Sequence, residues 1–90
     1  MASIVTYQYT LNGTPQPVVH MHNQGMTLTF HNGAKSSNNL VFLGGSTVGT
    51  ATGLHIDADQ FLQLTIGPEQ QLWAVSDPVG IVLEVIEQRM

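Results

Sequence analysis

The chain has 90 residues, no cysteine, a formal net charge of −4 and a charged fraction of only 9%. Disulfides and thiolate metal centres are excluded. No apolar run approaches the roughly 20 residues of a membrane-spanning helix, and two bases, Lys35 and Arg89, cannot neutralise a nucleic-acid backbone.

Ordinary domains carry about 25% charged residues. Here Thr, Ser, Asn and Gln take their place. Such a surface packs against protein with little charge desolvation. The same groups also serve plain solubility. A chain of this length reads as one domain, residues 1–90, that buries roughly 60% of its unfolded surface. Added stability from self-association fits that size. Met1-Ala2-Ser3-Ile4 has neither the charged start nor the apolar stretch of a secretion signal, so no export is expected.

Residues 3–11 alternate, with Val5, Tyr7, Tyr9 and Leu11 on one face and Thr6, Gln8 and Thr10 opposite; Ile4 is the exception. Asn12-Gly13 signals a tight turn. Residues 17–22 resume extended structure, with Val19 and Met21 on one side and Val18, His20 and His22 on the other. Asn23-Gln24-Gly25 turns again. Met26, Leu28 and Phe30 then alternate with Thr27, Thr29 and His31, the clearest half-buried strand. Residues 32–39 form a polar loop.

Residues 40–43 are a short apolar run of strand formers, which Gly44 and Gly45 break. Residues 46–52 are small and β-branched and are expected to stay extended. Gly53 turns the chain, so that Leu54 and Ile56 return to the core. Gly44, Gly45 and Gly53 are thus the expected structural turn residues. Asp57-Ala58-Asp59 is a turn. Residues 61–66 form a strand with Leu62, Leu64 and Ile66 inward. Gly67-Pro68-Glu69 turns, residues 72–76 form a strand, and Asp77-Pro78-Val79-Gly80 turns. Residues 81–87 form the last strand, with Ile81, Leu83 and Val85 inward. No segment shows a capped 3.6-residue period. Seven to eight short strands predict an all-β fold, a small antiparallel β-sandwich or barrel.

His20 and His22 share a strand face, and His31 on the next strand completes a possible zinc trio. It lacks a fourth ligand and an orienting carboxylate, so no metal or cofactor is expected. Asp57 and Asp59 read as a solvated turn rather than a calcium site. Gly44-Gly45 lacks the Lys-Ser/Thr pair of a phosphate loop, and Ser46 lacks a base. No catalytic residue is assigned, and the chain does not read as an enzyme. Trp73 reads as core or core edge. Phe61, Val82 and Ile86 point away from Leu62, Leu64, Leu83 and Val85. They form the candidate oligomer or capsid interface.

The run Leu43-Gly44-Gly45-Ser46, Val48, Thr52-Gly53-Leu54, the strand 62–66, Gly67-Pro68, the strand 72–76 and the strand 83–87 resemble a module of tailed-bacteriophage virion proteins. The resemblance covers about residues 25–87, leaving out the first 23 residues with His20 and His22. The segment His55-Ile56-Asp57-Ala58-Asp59 departs from it, since relatives often show a proline and a glycine there. The resemblance implies a β-sandwich found in capsid decoration proteins and head fibres, with no enzymatic residues. The expectation is a virion structural protein that stabilises the shell by bridging capsid subunits. It would be made in the host cytoplasm and act as a homo-oligomer, a trimer, on the major capsid protein, with no nucleic-acid or membrane partner. The alternative is a tail or fibre module that binds host carbohydrate through Trp73, or through Tyr7 and Tyr9.

Overall fold

The computed structural model describes residues 3–20 and 22–89. Its eight strands are β1 (Ser3–Thr10), β2 (Gln16–Pro17), β3 (Met26–Asn32), β4 (Leu40–Gly44), β5 (Leu54–Ile56), β6 (Phe61–Ile66), β7 (Trp73–Asp77) and β8 (Val82–Arg89). They form two antiparallel sheets of four strands, with orders β1-β8-β3-β6 and β2-β7-β4-β5. We call these the first and second sheets. The fold is a β-sandwich rather than a closed barrel.

Alternation builds the core from both sheets. Leu28, Phe30, Leu83 and Val85 of the first sheet meet Val41, Leu43 and Ala74 of the second, joined by Leu11, Val18 and Ile81 from the connections. Each large side chain so buried contributes about 1.5–3 kcal/mol. Val5, Tyr7 and Tyr9 share the inner face of β1, and Ile4 projects outward, 67% exposed. Leu62, Leu64 and Ile66 point inward as expected. The first two stay half-buried because β6 is an edge strand with a neighbour on one side only.

Four local expectations are corrected. Residues 17–22 do not form a strand beyond Pro17, and Val18 and Val19 are both buried. The chain crosses there from one sheet to the other, with the Val18 amide donating to the Leu72 carbonyl, so both flanks meet protein. Met21, expected beside Val19, lies outside the described residues, as do Met1 and Ala2. Residues 46–52 are not extended. They close as consecutive turns, Val48 N–H to Gly45 O at 3.0 Å, then Thr52 and Gly53 N–H to Gly49 O at 3.2 Å. Leu54 stays 58% exposed, although it pairs with buried Leu43, because β5 is the short edge of its sheet.

The fourth correction concerns the glycines. The glycine with positive φ is Gly80 (φ 96), in the turn after β7. Gly44 and Gly53 act by close approach instead. A Cβ on Gly44 would stand 2.9 Å from Val48 Cγ2. One on Gly53 would stand 2.7 Å from the same atom and 2.8 Å from Phe42 Cβ. Gly45 faces open space, so its expected structural role has no steric basis.

The polar loop after β3 hides a buried residue. Asn32 is fully buried, and its Nδ2 donates to the carbonyls of Asn39 at 3.0 Å and Ile56 at 2.9 Å. Its Oδ1 accepts from the Ala34 amide at 2.9 Å. A satisfied buried amide costs little, whereas an unsatisfied one costs about 1–3 kcal/mol. Asn32 therefore ties β3 to the start of β4 and the end of β5.

Candidate functional site

The two outer faces are treated differently. On the second sheet, Phe42 and Val75 point outward, yet both are buried. Residues 45–53 fold back over them and insert Val48, with Leu40 and Trp73 packed around it. The missing Cβ atoms of Gly44 and Gly53 make room for that plug. Trp73 is therefore half-buried at the rim of this satellite cluster, consistent with its reading as core edge.

Nothing among the described residues covers the outer face of the first sheet. Register places Ile4, Gln88, Thr27 and Thr65 in one row, and Thr6, Ile86, Thr29 and Gln63 in the next. Gln8, Glu84, His31 and Phe61 form a third row. Phe61 is 69% exposed, Ile86 42% and Val82 37%. These three do not form one continuous stripe, because Glu84 stands between Val82 and Ile86 on β8. Phe61 and Ile86 border a shallow depression of about 250 Å³ with Thr6, Thr29, His31 and Glu84. Val82 instead borders a second depression at the end of the sandwich, beside Gly33 and Pro78.

The charges of this face are tied to one another. His31 Nδ1 lies 2.6 Å from Glu84 Oε1, and Nε2 lies 2.9 Å from Asp59 Oδ1. Lys35 Nζ donates to the same Asp59 oxygen at 3.0 Å. With a carboxylate at each ring nitrogen, only the imidazolium donates at both. The hydrogen bond to Glu84 is the main cause raising the His31 pKa above its ordinary value, and partial burial opposes it. The same bonds to His31 hold Asp59 and Glu84 below the usual carboxylate range. Phe61 stacks on the imidazole with ring centroids 4.4 Å apart, a cation–π geometry. Two negative and two positive groups thus cancel, leaving a neutral face of threonines, glutamines and exposed apolar side chains.

Asp59 reaches His31 because its turn takes φ 60, left-handed backbone that Asp tolerates. Its amide donates to the Asn32 carbonyl at 3.0 Å. The turn expected at residues 57–59 is present, and it serves to deliver a carboxylate to the sheet face.

A second polar group sits inside, under β1. Glu87 is fully buried, in phase with Leu83 and Val85 along β8. Its carboxylate accepts from the His20 amide at 2.9 Å and from Arg89 at 2.9 Å. Arg89 also donates to Tyr7 Oη at 3.2 Å. The His20 ring stacks on Tyr7 at 3.9 Å, and Tyr9 Oη lies 3.1 Å from His20 Nδ1. Burial, with the Glu87 and Tyr7 charges behind it, pushes the Tyr9 pKa up to about 12. A buried carboxylate paired in this way is a fastening. Its signal in the sequence was phase alone, since Glu87 occupies an inward position of an alternating strand.

The three histidines weighed as zinc ligands do not converge. The exposed His20 ring stacks on Tyr7 of β1, His31 lies on the outer face of the first sheet, and His22 accepts from the Gln24 amide at 3.3 Å. Tyr7 and Tyr9, weighed as carbohydrate platforms, are half-buried and engaged with His20.

The sequence matches no protein-family profile and no curated protein. In fold it is similar to a chain from a solved structure of Bacillus endospore appendages, described as a novel family of disulfide-linked pili. The TM-score is 0.59 at 9% identity, over 100% of this chain and 87% of that one. At that identity the likeness concerns the sandwich itself.

Proposed function

We propose that this chain is a structural subunit of a phage virion, a capsid decoration protein that bridges neighbouring shell subunits and works as a homo-oligomer, a trimer. The observation that carries this reading is the bare, charge-cancelled outer face of the first sheet, with Phe61, Ile86 and Ile4 exposed on it. Burying Phe61 or Ile86 against a partner contributes about 1.5–3 kcal/mol each. The neutral rows of Thr and Gln around them keep the desolvation cost low. The residue pattern resembling phage virion modules supplies the setting, and the threefold order comes from that resemblance.

The pilus-forming neighbour supports an assembly role for this fold. Its description names disulfide linkage, whereas this chain has no cysteine. An assembly of this chain would therefore not be linked by disulfides. The carbohydrate-binding alternative is disfavoured, because Trp73, Tyr7 and Tyr9 are all half-buried in packing of their own.

The test is protein counting and shell binding. Hundreds of copies per purified particle are expected, and a handful would indicate a tail component. Wild-type protein should co-sediment with capsids and raise the temperature at which they rupture. Ile86→Asp should abolish both effects while leaving the isolated protein folded. Undiminished binding by Ile86→Asp would remove this face from the contact.

A further inference from the structure

The two sheets also differ at their edges. The second sheet ends in β2, two residues including Pro17, and in β5, three residues. Short strands and proline are the usual devices that stop an edge from recruiting another strand. The first sheet has neither device. Its edge β1 runs eight residues and pairs with β8 at eight consecutive positions, without a bulge. Its other edge, β6, runs six residues and pairs with β3 at six consecutive positions, again without a bulge. Neither strand contains a charged residue, a proline or a glycine. Among the described residues, the far side of each strand has no strand partner. A regular edge of this kind presents a row of amides and carbonyls, hydrated in the lone chain, that another extended strand can pair with.

Direction makes the two edges complementary. The first sheet alternates strictly, β1 against β8, β8 against β3, β3 against β6. With four strands, β1 and β6 run in opposite directions. A second copy set beside the first in the same orientation therefore brings its β1 antiparallel to β6. The side chains agree with that placement. Leu62 and Leu64 on β6 face inward and are half-buried, and so do Val5, Tyr7 and Tyr9 on β1. Each row lacks a flank for the same reason, the absence of the next strand.

We propose that copies of this chain join head to tail by antiparallel pairing of β6 of one copy with β1 of the next, making the first sheet continuous through the assembly. The occupant of each edge is a second copy, because this chain presents both halves of the contact in one sheet. The contact is heterologous, so it closes into a ring if the rotation between copies permits and otherwise continues as a filament. It uses the backbone edges of the sheet and adjoins the outer face at Phe61, but does not depend on what that face docks against.

The absence of native cysteine allows a clean trap. Thr6 and Gln8 on β1 and Gln63 and Thr65 on β6 are exposed on the outer face, away from the core. Single cysteines are placed at Thr6 or Gln8 in one preparation and at Gln63 or Thr65 in another, and the full-length proteins are mildly oxidised alone and mixed. Mixed preparations should give a disulfide dimer in at least one combination, and each preparation alone should give no disulfide-linked dimer. A double variant such as Thr6→Cys/Gln63→Cys should give a ladder, ending at the ring size if the assembly closes. Adding Gln63→Lys beside a β6 cysteine at Thr65 should abolish the mixed dimer while leaving the melting temperature unchanged. Dimers from the β1 preparation alone would mean β1 pairs with β1, and the proposal fails. No cross-link in any mixture, with all variants folded, overturns it equally.

Discussion

The second sheet buries both of its faces and blunts both edges, while the first buries one face and leaves the other face and both edges bare. The two sheets have the same number of strands and share one core. The difference between the faces lies in one loop. Residues 45–53 fold over the second sheet and plug it with Val48, and among the described residues no segment does the same for the first. Stability is concentrated on one side of the sandwich, and surface free to make contacts on the other.

Two phenylalanines break or sharpen that comparison. Phe42 points outward from the second sheet yet is only 7% exposed, whereas Phe61 on the outer side of the first is 69% exposed. Phe42→Ala should cost about 3–5 kcal/mol. Phe61→Ala, which loses only the exposed stack on His31, should cost the isolated chain no more than about 1 kcal/mol. Urea denaturation of both variants measures the gap, and equal losses would mean the first face is covered in solution.

The glycines of the plug come next in size. Gly53→Ala forces a Cβ against both Val48 and Phe42, so a loss of about 1–3 kcal/mol is expected. Gly45→Ala meets open space and should leave stability within about 0.5 kcal/mol of wild type. If both cost the same, the loop rather than the plug controls the second face.

The smallest effect belongs to His31. Its folded pKa lies above the ordinary 6.5, so its contribution is complete below that value and is lost as pH rises through the folded pKa. Glu84 and Asp59 have lowered pKa values, so their part is present above the ordinary carboxylate range and fades as pH falls through the folded values. The cluster stabilises most in mildly acidic solution. The melting temperature of wild type minus that of His31→Gln should be largest there and shrink toward alkaline pH. A difference independent of pH would mean that His31 acts through packing on Phe61 alone.

Much of the fold was legible. Alternation in β3, β6 and β8 identified Leu28, Phe30, Leu83 and Val85 as inward, and turn signals separated the strands. It also set Phe61, Val82 and Ile86 outward. Less of the candidate site was legible. His31 was weighed as a metal ligand, and Asp59 as a turn residue 28 positions away in the chain. Only strand pairing brings His31 between Glu84 and Phe61, and only the left-handed turn at Asp59 closes the group.

The sequence by itself determined the class of fold, the positions of the longer strands and which of their residues share a face, because a period of two is a local property of extended backbone. Whether a face is then covered is decided by what the rest of the chain lays upon it. Phe42 and Val75 are buried on an outer face because Val48 reaches them, and Leu54 is exposed on an inner one because its strand lies at an edge. Glu87 is buried and paired because the His20 amide, distant in the chain, meets it beside Arg89 of its own strand once the sandwich closes. Burial depends on layers and edges, and those exist only once strands distant in the chain have paired.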